Sequence, residues 1–297
     1  MRIDNKMYET NSVSIFSNDN IYNHKIEMVD SVADYSESAT MEISAAGLQL
    51  SNARISNTEL QQQLSNLGFF SGAFDGNLSS EPSKKAIKNF QLTYGLTQSG
   101  SLDNTTKSKL SAASDMYISI ITSSGMSTLH KDANYSFDVQ QIDDFAKTWA
   151  FLRVGMGISS KAVAGVMGNI YAESAVSHDN AQDNKSYPGK HNPEYIFDGS
   201  DGVGYGLIQW TAKERKNGLA YTASRMGLKV SDINAQLSFL RKELTGEFSS
   251  AWKSIESAST VNKACDIFLK EIEKPAVLNY SERRTYANKF YSYFKNN

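Results

Sequence analysis

From Asp138 to the C-terminus, apolar residues recur at intervals of three and four, and no run alternates as a strand would. That spacing gathers them on one side of a helix and commits this part of the chain to packed helices. Val139, Ile142, Phe145, Trp149 and Leu152 keep one face. Ser159 or Ser160 is placed to cap the next helix, with Val163, Val166, Met167 and Ile170 inward. Ser231 precedes a helix carrying Ile233, Leu237, Leu240 and Leu244. Thr260 precedes one carrying Val261, Ala264, Phe268 and Ile272, and Ser281 opens the last, with Tyr286, Phe290 and Phe294. Between Ser174 and Gly206 the period breaks into polar, Gly- and Pro-containing sequence. The expectation is an all-α domain over 138–297 with one long loop at its cleft.

A chain of 297 residues has room for about two domains. The second module lies upstream. Leu60, Leu64 and Leu67 mark one helix face, with Thr58 as its cap. Ala86, Ile87, Phe90, Gln91 and Tyr94 mark another, closed by Gly95, and a third short helix is expected from Asp103 to Leu110. Turn-dense sequence, Gly68 to Gly76, joins the first two. Three small helices over 57–113 form a minimal bundle, of a kind that binds rather than catalyses. Residues 114–137 are Ser-rich and read as a linker. Residues 1–56 are rich in Ser, Asn and Asp without a sustained period, and read as a disordered or adaptor tail.

Several classes are disfavoured. The formal net charge of −2 gives no sign of nucleic acid or an anionic membrane as partner. Cys265 stands alone, so no internal disulfide is possible, and its helical face with Phe268 marks it as core. Met1 to Asn20 lacks the basic and apolar regions of a Sec signal peptide, and no run approaches the ~18 apolar residues of a membrane span. Action outside the cytoplasm would need another export route. His178, Asp179 and His191 are metal-ligand types, but their spacing fits no tight motif. Neither a metal nor another cofactor is expected.

The chemistry concentrates in two stretches, Gly168-Asn169-Ile170-Tyr171-Ala172-Glu173-Ser174 and Gly204-Tyr205-Gly206-Leu207-Ile208-Gln209-Trp210-Thr211. Glu173 ends an apolar helical stripe, where desolvation and the helix C-terminus both favour a neutral carboxyl. Such an acid can protonate a leaving glycosidic oxygen. The glycines of the second stretch let backbone approach closely. Gln209 can bond sugar or amide groups, and Tyr205 and Trp210 can pack on pyranose faces, as can Tyr171, Tyr187 and Tyr195 if they line the groove; a core-packed turn with a buried Trp, and core or loop packing of the tyrosines, are the alternatives. A glycosidase usually pairs two carboxylates. Asp201 is the best second candidate and Asp198 the next, although both equally suit turn chemistry, and Thr211 could orient a water. Glu273, before Lys274-Pro275, reads as structural, paired with Arg283 or Arg284.

Two resemblances sharpen this reading. Leu60–Leu64–Leu67-Gly68-Phe69-Phe70-Ser71-Gly72–Phe74-Asp75-Gly76, then Ala86-Ile87–Phe90-Gln91 and Gly95-Leu96-Thr97, resemble the three-helix peptidoglycan-binding domain. Its usual second Asp-Gly turn reads Ser99-Gly100-Ser101-Leu102 here. Ala172-Glu173-Ser174 and Gly206-Leu207-Ile208-Gln209 resemble the lysozyme-like superfamily. The fuller string from Gly165, with Phe268 to Glu273-Lys274-Pro275, is similar to phage tail lysozymes over 145–294, with Ala175 where the signature usually has Gly. The resemblance implies a lysozyme acting at the bacterial cell wall, with Glu173 as general acid cutting the β-1,4 link between N-acetylmuramic acid and N-acetylglucosamine. A lytic transglycosylase, or a non-catalytic wall anchor, are the alternatives. Met41-Glu42-Ile43-Ser44 to Gly47-Leu48-Gln49-Leu50 resembles segments of flagellar export proteins, so docking of 1–56 to a phage-tail or flagellar assembly is a further expectation.

Overall fold

Short polar side chains set where the helices begin. Ser56 caps α1 (Asn57–Asn66): its hydroxyl accepts from Glu59 N, and the Glu59 carboxylate accepts from Ser56 N, a reciprocal capping box. Ser80 caps α2 (Glu81–Thr93), and Asp103 caps α3 (Asn104–Ile121). Thr58, the expected first cap, lies inside α1, and Gln61, three residues on from it, is turned to Asp75 and Gly76 instead. The computed structural model describes residues 55–132, 134–135, 137–182, 191–275 and 277–297. The expected docking tail, its Met41–Leu50 segment and Tyr187 lie outside them.

The upstream module is the expected three-helix bundle. Leu60, Leu64, Phe90 and Leu110 are wholly buried at its centre. Two buried glutamines pin its turns in the same way. Gln61 donates to Asp75 Oδ1 at 2.9 Å and accepts from Gly76 N at 2.8 Å. Gln91 donates to Ser99 Oγ at 3.0 Å and accepts from Gly100 N at 2.9 Å. The Ser99-Gly100 departure is therefore harmless to the fold: a hydroxyl takes the place of the carboxylate, and the turn glycine is kept.

No extended linker follows. α3 runs on to Ile121, and α4 (Ser124–Lys131) occupies half of the rest of 114–137. Leu110, Ala113 and Ile120 are fully buried along it, and Tyr117 donates to Asp143 at 2.8 Å. The module is thus fastened to the following helices. Asn89 donates to Met226 O at 3.1 Å, and Asn234 donates to Leu67 O at 3.0 Å. One continuous apolar cluster extends from Leu60 to Phe294.

The rest of the chain wraps a central helix. α5 (Val139–Ala150) ends in a π-helical turn, Phe151–Gly155. α6 (Ser160–Ser174), capped by Ser159, is buried without a break from Ala162 to Tyr171. Then come α7 (Lys213–Met226), α8 (Ile233–Thr245), α9 (Ser249–Glu256) and α10 (Val261–Ile267), which widens into a π-helical segment, Phe268–Glu273. α11 (Tyr280–Phe294) closes the chain. Thr260 caps α10 as expected. Asp232 and Asn279 cap α8 and α11 in place of Ser231 and Ser281. Asp232 accepts from two amides, which a serine hydroxyl seldom does. Among the described residues there are eleven α-helices, no strand, and no helix long and apolar enough to cross a membrane.

Gly168 lets α11 lie against α6. A Cβ there would sit 2.6 Å from both Ala287 Cβ and Arg283 O. Neither backbone nor a buried methyl can swing aside. Gly168→Ala is expected to lower unfolding stability by roughly 1–3 kcal/mol, the cost of overpacking, read as a lower urea midpoint at unchanged m-value.

Candidate active site

α6 delivers Glu173 at its C-terminal end, then stops abruptly. Ala175 takes the left-handed conformation and its N–H returns to Tyr171 O at 2.8 Å. Ser174 joins this end to the glycine turn: its hydroxyl donates to Leu207 O at 2.8 Å. The turn is held by paired bonds between Tyr205 and Trp210 and by Gly206 N donating to Asn180 O at 2.8 Å. Gly206 has φ of 76°, and a Cβ there would meet Gln236 Oε1 at 2.5 Å, so the position demands glycine.

The contacts of Glu173 come from the far C-terminal region. Arg283 on α11 places Nη2 on Glu173 Oε1 and donates through Nη1 to Glu273 Oε2 at 2.8 Å. Nη1 also reaches Asn169 O at 3.3 Å, one turn before Glu173. One buried guanidinium therefore clamps two carboxyls. They differ in access: the side chain of Glu173 is 20% exposed and that of Glu273 only 4%. The surroundings of Glu173 are thus not the purely apolar ones its stripe implied.

Burial, reinforced by adjoining Glu173, raises Glu273 well above the usual carboxylate range, against the pull of Arg283 and Arg215. Glu273 Oε1 has no hydrogen-bond partner among the described residues. Glu273 therefore holds its proton more tightly than a free carboxyl, packed behind a partly exposed acid with a fixed cation between them.

Backbone strain collects at the same place. The non-glycine residues with positive φ among the described residues are Ala175, Val176, Gln209 and Lys274. The first two follow Glu173, the third lies in the glycine turn, and the last follows Glu273. Such conformations cost about 1–3 kcal/mol each and persist where the surroundings fix them, often at functional sites.

The other expected residues fall out differently. Trp210 is fully buried, and its Nε1 donates to Glu243 at 2.8 Å, itself held by Arg215. Tyr171, Tyr195 and Tyr205 are 8%, 8% and 4% exposed. Tyr171 packs among Tyr135, Tyr286 and Phe290, and Tyr195 stacks on Tyr205. These four rings fill the interior, the core-packing alternative of the sequence reading. Gln209 is half-buried and donates to Gly206 O at 3.0 Å and Asn180 O at 3.2 Å. Thr211 is exposed and bonds back to Gln209 O at 2.9 Å. A Cβ on Gly204 would touch both Gln209 and Thr211, so the two flank the same glycine.

Asp201 is tied up. Oδ1 accepts from Lys216 Nζ at 2.5 Å and Val203 N at 2.9 Å, and Oδ2 accepts from Tyr195 OH at 2.5 Å. Partial burial works to raise its pKa, but Lys216 and Tyr195 outweigh it and the net shift is downward. Lys216 is itself wholly buried. Asp201 thus anchors the loop, in keeping with the turn chemistry that its sequence equally suits. Asp198 is likewise spent on a local turn with Ser200. Asp201→Asn, which leaves Lys216 buried without its counter-charge, is expected to cost about 3 kcal/mol or more. At a temperature where it stays folded it should keep the parent turnover, checked by melting curves beside an activity assay.

Asp179 and the two histidines serve as ties. His178 Nδ1 meets buried Asp144 at 2.7 Å, and His191 bridges Asp138 and Asp179. Glu273 and Arg283 are the site residues that local pattern undervalued. The Glu273-Lys274-Pro275 stop and the Arg283-Arg284 doublet were the available signals. Arg284 pairs elsewhere, with Asp266 at 2.6 Å.

Residues 57–110 match the profile of a peptidoglycan binding domain. Morphogenesis protein 1 of Bacillus phage B103 is 29% identical over 141 residues, 44% of this chain and 34% of that protein. The chain therefore spans about a third of that relative's length. No solved structure is significantly similar. Residues 144–294, which include Glu173, the glycine turn, Glu273 and Arg283, match the phage tail lysozyme profile, and the chain belongs to the phage tail lysozyme family.

Proposed function

We propose that the chain is a muramidase that cuts the β-1,4 bond between N-acetylmuramic acid and N-acetylglucosamine in peptidoglycan, with Glu173 as general acid. The observation that carries this reading is the Glu173–Arg283–Glu273 cluster at the end of the buried helix. Glu173 is the member open to solvent. It passes a proton to the bridging oxygen as the bond to the anomeric carbon breaks. Arg283 then faces the carboxylate that remains, and Glu273 is the adjacent proton store. Such proton transfer contributes about 10²–10⁴-fold to rate. The upstream bundle holds the enzyme on its polymer.

With Asp198 and Asp201 spent on loop structure, the water that completes hydrolysis is oriented by Thr211 or Gln209, in a single-acid or inverting course. The same commitment of Asp201 favours a second reading, a lytic transglycosylase, which needs one carboxyl and no water. Digestion of purified peptidoglycan separates them. Hydrated reducing ends support the muramidase, and products one water lighter support the transglycosylase. Intact glycan strands would exclude both and leave a wall anchor. Work at the cell wall, outside the cytoplasm, is part of this proposal.

A further inference from the structure

A groove of roughly 650 Å³ separates α2 of the wall-binding bundle from α7 and α8. Its walls carry Lys84, Lys85 and Lys88 from α2, Arg225 from α7 and Lys242 from α8. The one acid among its lining residues is Glu81, which meets Lys84 at 3.4 Å. That pair is largely exposed and neutralises little. Lys85 donates to Gly227 O at 3.0 Å, across the groove. The chain as a whole carries −2, so five cations facing one acid is a local concentration, not a reflection of composition.

The arrangement is fixed on both sides. Asn89 bonds Met226 O, and Thr93 meets Ser238 at 2.5 Å, so the two walls are locked together beneath the charges. Lys85, Lys88, Arg225 and Lys242 are exposed at the rim. Like charges held together without counter-charges repel one another, and a bound polyanion relieves that repulsion. Lys84 and Lys88 lie one helical turn apart, about 5–6 Å. Successive phosphates of a short-carbon polyol-phosphate chain can match that interval. Peptidoglycan carries its carboxylates more sparsely, on its peptide stems.

We infer that this groove binds a linear polyanion with a phosphodiester in each repeat, a polyol-phosphate polymer attached to the wall. None of its residues belongs to the cluster around Glu173. Naming the polymer as a wall component rests on the proposed function, whereas the anion site itself does not. The groove would concentrate the enzyme on walls that carry such polymers, next to the glycan that it cuts.

The test compares binding of the full chain to walls bearing a polyol-phosphate polymer and to the same walls after acid has removed it. The parent is expected to bind the first about ten-fold more tightly at low salt, an advantage that shrinks as salt rises. The double variant Arg225→Glu with Lys242→Glu, both outside the upstream bundle, should lose that advantage and still cut stripped peptidoglycan at the parent rate. Arg225→Lys with Lys242→Arg should retain the advantage. An undiminished preference in the Glu variant overturns the proposal. So does an equal loss on both preparations, which would seat peptidoglycan itself in the groove. A parent that binds with the expected preference but never cuts stripped walls refutes the lytic reading and leaves the groove assignment standing.

Discussion

Glu173→Gln is expected to reduce the release of peptidoglycan fragments by about 10²–10⁴-fold, the range of general acid catalysis. Glutamine keeps the shape, and its amide oxygen can still accept from Arg283. It cannot pass a proton on. The loss should therefore appear in kcat, with binding to intact walls unchanged, measured at a temperature where the variant stays folded, because Arg283 gives up one of its two carboxyl partners. Parent-rate clearing of a wall suspension by this variant would make the chain an anchor. Substitution of Thr211 by Val should cost far less, because the hydroxyl only orients and its one bond is to its own turn.

Arg283→Met carries the largest expected effect on stability. Arg283 is the only guanidinium on both Glu173 and Glu273 among the described residues. Its removal leaves two adjoining carboxyls, one of them deeply buried, without their cation, and where they are ionised this costs about 3–5 kcal/mol. The loss depends on pH, with a definite sign. The folded-state pKa of Glu273 is raised by burial, then by Glu173, and lowered by Arg283. The folded state thus holds that proton more tightly than the unfolded chain. Stability is fully present below the ordinary carboxylate value and is lost as pH rises through the folded value. Without Arg283 the folded value moves higher still. The variant should therefore lie closest to the parent near pH 4 and furthest from it in mildly alkaline buffer, as read by urea midpoints. An equal deficit at every pH would mean that Arg283 acts by packing alone.

What could be read from residues alone follows from how local each cause is. The faces of α1, α2, α5 and α6 were legible because each repeats every three or four residues. α7 was not: its buried positions include Lys216 and Thr222, so the inward stripe looks polar. The charge of Lys216 is met by Asp201, fifteen residues upstream and outside any local window. The same distance left the structural and catalytic readings of Asp201 evenly matched. The continuation of α3 past Leu110 was masked by serines, although Ala113 and Ile120 keep the spacing. Trp210 reads as a sugar platform until Glu243 is seen to hold its ring nitrogen inside. Glu173 was legible from its motif. Its partner Arg283 was not, because it lies 110 residues further on, outside any local window.

Leaving-group dependence tests the central claim most directly. A chito-oligosaccharide bearing a nitrophenolate-type aglycone needs no proton on its departing oxygen, whereas a natural glycan strand does. If Glu173 is the proton donor, Glu173→Gln should lose its activity on glycan strands yet cleave the activated aryl glycoside at close to the parent rate. Equal losses on both substrates would contradict the account and leave Glu173 as a residue that shapes the cleft without supplying the proton.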